Sequence, residues 1–217
     1  MSFFNDWGSW LPTLLTGLWA SARVAGLSLL LGLPAGLLLA LGSGAKSLSV
    51  RWTVIGLVEL GRGMPALVML QIVYFGLPNA GLTLSALLSS AFAFALTTAA
   101  YTSEILRGGL QAVPAGEVEA AEALGLARRD TLRFIVIPQG IRIAIPPLMG
   151  FAILIFQVTS LAYTIALPEL TSQAYSIGSS SFRYTSVFTL AALLYLAVTI
   201  PTSFLTERIE IRLARHL

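Results

Sequence analysis

Apolar segments long enough to cross a lipid bilayer alternate with polar connections along the chain. A helix needs about 20 mostly apolar residues to span the hydrocarbon core, and Val24 to Leu41 is about that long. Four more such segments follow, at about 53–77, 84–106, 146–167 and 184–205. Because backbone polar groups in lipid must be satisfied within the structure itself, the sequence predicts an all-α membrane protein with about five transmembrane helices.

The overall composition excludes several other classes of protein. Hydrophobic residues make up 56% of the 217 residues and charged residues only 11%, against about a quarter charged in soluble domains. The net charge of +3 comes from scattered basic residues, which indicates topology determinants and no nucleic-acid partner. Without cysteine there is no thiolate metal site, and we predict no metal site of any kind. The single His216 belongs to the terminal tail. We expect one transmembrane domain, residues 1–217, in contact with membrane lipid.

The first 23 residues differ in character from the segment that follows. Tryptophans at 7, 10 and 19 recur at helical spacing among polar positions, a pattern typical of the headgroup zone. Arginine is costly at the bilayer centre, by about 3 kcal/mol, so we place Arg23 at the boundary and interpret residues 1–23 as an amphipathic segment. No basic region precedes the apolar run, so we expect a retained helix, not a secretion signal.

Proline and charge mark the second and third spans. Met64-Pro65 predicts a kink or restart, because proline lacks a backbone donor and clashes with the preceding turn. Glu59 with Arg62, and Glu104 with Arg107, stand three residues apart, so each pair can form a structural ion pair near the interface. In the first span, Gly32 and Gly36 indicate either a close helix contact or a position that faces lipid or packs in the ordinary way.

The second half of the chain is predicted to contain the start of the fourth span, a polar loop and a tail. Pro146-Pro147 is expected to open the fourth span, since missing donors cost nothing in a first helical turn. Residues 168–183 are interpreted as a polar loop. Residues 206–217 are interpreted as a cytoplasmic tail carrying a short surface helix.

Polar side chains near the middle of two spans suggest a substrate pathway. Gln157, Thr159 and Ser160 fall at the midpoint of the fourth span, and Thr98 and Tyr101 lie in the third. Polar groups at that depth are expensive unless they have partners, and these could hydrogen-bond a zwitterion. Serine and threonine can equally bond back to their own helix, so both interpretations stay open.

The distribution of basic residues predicts the orientation. One set of connections carries Lys46, Arg51, Arg107, Arg128, Arg129, Arg133, Arg208, Arg212 and Arg215, whereas the other carries only Arg23 and Arg183. Positive residues stay in the cytoplasm. We therefore expect the N-terminus outside, the C-terminus in the cytoplasm, and the polar interval 107–138 also in the cytoplasm.

The interval 107–138 has the signals of two short helices. Pro114 suits a helix start, and Gly125 suits a left-handed helix end. Residues 130–137 can then form a second helix, stopped by Pro138. The many small side chains of the first helix would let another backbone approach closely, which suits a docking element.

The same interval resembles the EAA-loop signature of the membrane subunits of ABC importers. That signature is E-A-A, three residues, G, nine residues, then I-x-L-P. The chain matches it at Glu119, Ala120, Ala121, Gly125, Ile135 and Pro138, and departs from it only at Ile137, where leucine is usual.

Further strings resemble the polar amino acid permease branch of this family. Arg62-Gly63-Met64-Pro65 is similar to its R-G-T-P element, residues 100–109 to its A-Y-x-x-E-I-x-R-G-G element, and Thr159-Ser160-Leu161 to its T-S-L element. Phe151-Ala152 stands where Asn-Glu is frequent, and Val158 where some members carry aspartate. These departures give no support for a cationic substrate.

The resemblance implies a type I ABC importer permease fold in a bacterial cytoplasmic (inner) membrane, importing a small polar solute of the amino acid class. It implies as partners two ATPase subunits, a second permease copy or homologue, and an extracytoplasmic substrate-binding protein. The ATPase interface would comprise Glu119, Ala120, Ala121, Gly125 and Leu126, in a coupling helix. ATP and magnesium would bind the partner ATPase, and this chain would hold no cofactor.

Other function classes lack their expected signatures. A nucleotide-binding loop needs glycine directly before its lysine, whereas Ala45 precedes Lys46, so we predict no enzyme activity in this chain. The alternative is an ATP-independent secondary transporter, which predicts an inverted repeat and intramembrane carboxylates; the sequence offers neither. An intramembrane enzyme would need a nucleophile with a His or Asp partner inside the bilayer, and the only histidine is in the tail.

Overall fold

The computed structural model describes residues 3–214, and every regular element in that range is helical. The α-helices are, in chain order, α1 (Trp7–Ser43), α2 (Leu48–Gly63), α3 (Ala66–Gln71), α4 (Ala86–Gln111), α5 (Ala115–Ala123), α6 (Arg128–Thr131), α7 (Ile137–Val158), α8 (Leu170–Ser181) and α9 (Tyr184–Ala214). Wider π-helical turns cover Ile72–Gly76 and Leu132–Val136, and tighter 3₁₀ turns cover Leu77–Ala80 and Thr159–Ile165.

The predicted all-α membrane architecture is confirmed. Within residues 3–214, four helices are long and apolar enough to span a bilayer, namely Trp7–Ser43, Ala86–Gln111, Arg128–Ile165 and Tyr184–Leu213. A fifth span forms if Leu48–Gly63 and Ala66–Ala80 are counted together, and these two are bent by 103° at the break between them. The kink predicted at Met64-Pro65 is therefore confirmed.

Close packing of α1 on α4 forms the centre of the fold. A Cβ atom added at Gly32 would lie 2.9 Å from the carbonyl oxygen of Ala95, and one at Gly36 would lie 2.9 Å from that of Ala99. Only glycine permits such an approach. The glycine pair is a helix contact, which resolves the two interpretations of its spacing. Beside this contact, Phe94, Val24 and Leu70 are fully buried in one apolar cluster.

The helix that holds the first span begins well before Arg23, the residue predicted at the membrane boundary. Residues 7–43 form one continuous helix, and Arg23 sits exposed on its surface. Pro12 lies in the second turn, and Pro34 is held inside the helix. From Trp7 onward, the segment predicted as amphipathic and the first span therefore share one helix.

The expected roles of three prolines are wrong. Pro138 does not stop a helix but is the second residue of α7. Just before it, the N–H of Ile137 donates to the carbonyl of Leu132, five residues back. This wider turn shifts the hydrogen-bond register where proline lacks a donor, so the chain stays helical. Pro146 and Pro147 lie inside α7 and do not open it.

Two connections are more ordered than the sequence indicated. Residues 168–183, predicted as a polar loop, contain α8, because the Glu169 side chain caps its start by accepting from the N–H groups of Thr171 and Ser172. The tail helix predicted within 206–217 is not separate, since α9 continues without a break to Ala214. His216 lies outside the described residues.

Candidate functional site

The break between α2 and α3 bends a candidate span by 103°. Met64 and Pro65 are both extended, with ψ angles of 128° and 135°. The Tyr101 hydroxyl on α4 donates to the carbonyl of Arg62 at 3.2 Å. Non-helical backbone at membrane depth is tolerated only where it is buried in protein or lines a cavity, and here it lines a cavity.

That cavity has a volume of about 300 Å³ and lies between the break, α4 and α7. Its lining comes from three helical regions: Arg62, Gly63, Met64, Pro65 and Ala66 from the break, Thr97 and Tyr101 from α4, and Phe151, Leu154, Ile155 and Val158 from α7. The α4 pair is spaced by four residues and the α7 set by three or four, so each group shares one helix face. The Tyr101 and Phe151 rings stack at 5.3 Å between centroids and join the two walls.

Alternating charges link α2 to α4 beside the cavity. Arg62 lies 3.2 Å from a carboxylate oxygen of Glu59 and 3.5 Å from one of Glu104. Glu104 in turn accepts from Arg107. Both predicted i,i+3 pairs are therefore formed, and Arg62 joins them into one network. Each carboxylate in this row has an arginine partner.

The predicted pathway residues do not form one cluster. Tyr101 lines the cavity. Thr98 and Thr159 are fully buried, and their hydroxyls donate to carbonyls of their own helical segments, Phe94 and Phe156, at 2.7 Å each. Gln157 is exposed and lines a different cavity, of about 480 Å³, between α7 and α9. Ser160 is half-buried and next in the chain to Thr159.

Sequence reasoning missed most of the cavity wall. It sought polar residues at the span midpoint, whereas the α7 wall is apolar. Thr97, one residue before Thr98, is the α4 threonine that faces the cavity. Helical spacing gave no signal here, because Thr97 and Thr98 lie four and three residues before Tyr101 and both spacings are compatible with one helix face.

A second candidate site is α5 with the turn that ends it. Gly125 has φ of +78°, and its N–H donates to Glu122 while the N–H of Leu126 donates to Ala121 at 3.1 Å. This is the Schellman helix end that the glycine predicted. Ala121 is buried, whereas Glu119 and Ala120 are exposed and Leu126 is half-buried.

Apolar side chains flank this turn on the same connection. Leu124 is 81% exposed and Phe134 64% exposed, and the Arg133 guanidinium lies 5.4 Å from the centre of the Phe134 ring. Exposed apolar groups beside an ordered helix end are features of an interaction surface.

Glu169 forms a third polar cluster, between α1, α8 and α9. Its carboxylate is fully buried and accepts from the N–H of Ser172 at 2.7 Å, from the Tyr195 hydroxyl at 3.3 Å and from Ser21 at 3.4 Å. Burial raises the pKa of Glu169 above its ordinary value, although these hydrogen bonds oppose that shift. These hydrogen bonds hold the start of α8 against α1 and α9, so we interpret the role of Glu169 as structural.

Residues 32–215 match the family described as "Binding-protein-dependent transport system inner membrane component". Among curated relatives, the chain is 37% identical to a probable amino-acid ABC transporter permease of Bacillus subtilis, over 86% of this chain and 83% of that protein. It is 38% identical to a probable glutamine ABC transporter permease of the same organism, over 72% and 73%. It is also 37% identical to the nopaline transport system permease of Agrobacterium fabrum, over 95% and 90%.

Solved structures share the fold along nearly the whole chain. A crystal structure of an amino acid ABC transporter with histidines superposes with a TM-score of 0.93 at 30% identity, covering 98% of this chain and 99% of that one. An inward-facing methionine ABC transporter superposes with a TM-score of 0.69 at 18% identity, covering 94% and 97%, which shows the fold alone. The chain belongs to the binding-protein-dependent transport system inner membrane component family, as a multi-pass inner-membrane permease subunit of an ABC transporter.

Proposed function

We propose that this chain is the membrane-spanning subunit of an ATP-driven importer of amino acids, and that its substrate passes through the cavity at the α2–α3 break. One observation carries the proposal: a broken span lines a cavity of about 300 Å³ beside the Tyr101 hydroxyl and Thr97. Discontinuous helices near the midplane are where transporters bind their substrates, and this volume is within the range of small-molecule sites.

The names of the relatives support the substrate class. Two are named as probable ABC transporter permeases, one for amino acids and one for glutamine, and the structural neighbour at 30% identity is named as an amino acid ABC transporter. An amino acid zwitterion carries no net charge, so hydroxyls and backbone groups could hold it without a large buried net charge. Gln157, Thr159 and Ser160 lie farther along α7 and the turn after it. We propose them, with Thr98, as supports of the pathway helices, since Thr98 and Thr159 bond to their own helical segments.

The segment 107–138 would be the contact with the ATPase. In this proposal Glu119, Ala120, Ala121, Gly125 and Leu126 present a short helix and its closed end to a groove in the partner, and exposed Leu124 enlarges the apolar contact. Because α6 continues into α7 through helical turns, movement of α5 and its turn would be transmitted to the wall of the cavity. ATP and magnesium would bind the ATPase, which supplies the chemistry.

The assembly would contain two ATPase subunits, a second permease copy or homologue, and an extracytoplasmic binding protein. The basic residues support the orientation: Arg128, Arg129 and Arg133 cluster around α6, on the same connection as α5. By the positive-inside rule this connection faces the cytoplasm, and the α8 connection faces outward.

Co-purification tests the proposal. Tagged permease, expressed with its genomic neighbours, should bring down an ATPase, and ATP hydrolysis by that complex should rise when amino acid and binding protein are added. A permease that purifies without any ATPase, or a complex whose hydrolysis no amino acid stimulates, would contradict it.

A further inference from the structure

We infer that the cavity at the α2–α3 break selects amino acids whose side chains are uncharged and apolar. The inference rests on the proposed function, because it specifies the substrate that the proposed site would accept. It departs from the glutamine and nopaline named for the relatives, whose side chains are polar or charged.

The α7 wall is apolar over its full length within the cavity. Phe151, Leu154, Ile155 and Val158 all face the space, and Met64 covers it from the break. Leu154 is about half-exposed and Val158 half-buried, so a ligand would cover apolar surface that is open in the structure. Covering such surface favours an apolar side chain.

The polar groups of the lining are few and already have partners. The Tyr101 hydroxyl donates to Arg62 at 3.2 Å, and the Thr97 hydroxyl donates to Ala93 at 3.4 Å. Both oxygens keep the capacity to accept a hydrogen bond, which suits an α-amino group. A polar side chain pointing at α7 would lose its hydrogen bonds to water without replacement, and this is unfavourable.

The charges around the cavity do not provide for a charged side chain. No carboxylate lines the cavity within residues 3–214. The nearby Glu59 and Glu104 are bound by Arg62 and Arg107. A lysine-like side chain would therefore be buried without a counter-ion. Arg62 is the one cationic group in the described lining, and its contacts with two carboxylates leave it a poor partner for a third.

Amino acids paired by side-chain length separate the effect of side-chain size on binding from the effect of side-chain polarity. Methionine and glutamine have similar length, as do norleucine and lysine. The experiment uses the permease–ATPase complex in nanodiscs without binding protein, so that the binding protein's own specificity does not enter. Labelled methionine is the probe in a scintillation proximity assay, and glutamine, norleucine and lysine are competitors. A hydrophobic pocket discriminates by about 10-fold or more for a change of this kind, so methionine and norleucine should bind about 10-fold tighter than glutamine and lysine.

Two substitutions locate the selectivity. Leu154→Gln should weaken methionine binding about 10-fold, whereas Leu196→Gln should not, since Leu196 is exposed to a similar degree on α9, outside the lining. Val158→Asp should admit lysine in preference to norleucine, because it places a carboxylate in the wall.

The possible results separate failure of the selectivity from failure of the proposed amino acid import. Glutamine or lysine binding as tightly as methionine would overturn the inference and leave an amino acid permease in place. Binding of none of these amino acids would overturn the inference, whereas the proposed function fails only if no amino acid stimulates ATP hydrolysis by the complex with binding protein. Unchanged methionine binding by Leu154→Gln would show that the α7 wall does not determine which amino acids bind.

Discussion

The hydroxyl of Tyr101 on α4 bonds to the main-chain carbonyl of Arg62, the residue two positions before the sharpest bend between the spans. The carbonyl at the end of α2 has lost the helical partner that an unbroken span would provide. A side chain from the next span therefore satisfies backbone at the break, and the same ring forms part of the cavity wall.

Tyr101→Phe should impair transport without impairing insertion. The net contribution of one hydrogen bond to a free energy is about 1 kcal/mol, which changes an equilibrium about five-fold. Because Tyr101 is partly exposed, this is an upper value. We expect ATP-dependent uptake to fall by up to about five-fold. Tyr163→Phe is the matched control, because Tyr163 is 39% exposed against 37% for Tyr101. Equal uptake by the two variants would show that the bond has no role in transport.

The break between α2 and α3 was predictable from the sequence, but the residues of α4 and α7 that face it were not. Pro65 indicates a kink because proline disrupts any helix locally. Which α4 and α7 faces then meet the break depends on helix rotation, which is set by contacts such as Gly32 on Ala95. Thr98 was chosen over Thr97 for this reason: both are threonines at the same depth, and only packing assigns one to the cavity.

The other errors have a similar cause. Pro138, Pro146 and Pro147 were expected to bound helices, but Pro138 follows a π turn at the start of α7, and Pro146 and Pro147 lie inside α7. Glu169 was left in a loop, since its capping role depends on spans that are distant in sequence. The Gly125 turn was predictable because a left-handed helix end is a local property.

Gly32→Val should destabilise the α1–α4 contact. The added atoms would meet Thr98 and the Ala95 carbonyl, and overpacking of this kind costs about 1–3 kcal/mol. We expect a lower thermal midpoint in detergent. Gly26→Val is the control on the same helix, where an added Cβ would have no neighbour within 4 Å. A larger loss at Gly26 than at Gly32 would contradict the packing.

Glu169→Ala should destabilise the α8 connection more than Glu169→Gln. The alanine variant loses the cap, worth about 1 kcal/mol, and leaves buried donors unpaired at a further cost of about 1–3 kcal/mol. Glutamine retains an acceptor oxygen. Thermal unfolding in detergent should rank wild type and Gln above Ala, whereas the exposed Glu207→Ala should have little effect. Similar thermal midpoints for Glu169→Ala and Glu169→Gln would show that the Glu169 side chain does not cap α8.

The Glu169 variants should also differ in their dependence on pH. Because burial raises the pKa of Glu169 above 4.5, the folded chain favours the neutral carboxyl. That contribution is fully present below pH 4.5 and is lost as the pH rises through the raised value. The thermal midpoint of wild type should therefore fall relative to Glu169→Gln as the pH rises through this window. A difference that is constant with pH would contradict the raised pKa.

Gly125→Val should release the ATPase while the spans still insert. A β-branched residue at φ of +78° is strained by about 1–2 kcal/mol or more, which would distort the end of α5. Gly81→Val is the matched control, since Gly81 has φ of +82° but lies between the second and third spans. Co-purification of the ATPase should be lost for Gly125→Val and kept for Gly81→Val. Full co-purification and transport with Gly125→Val would exclude α5 as the coupling element.

Uptake into proteoliposomes distinguishes an ATP-driven importer from a secondary transporter. The permease complex is reconstituted with binding protein on the substrate side, and labelled amino acid is followed with ATP or with a proton or sodium gradient as the energy source. An ATP-driven importer should accumulate the amino acid only with ATP on the ATPase side, and neither gradient should support accumulation. Accumulation driven by a gradient without ATP or ATPase would contradict ATP-driven import and would identify a secondary transporter.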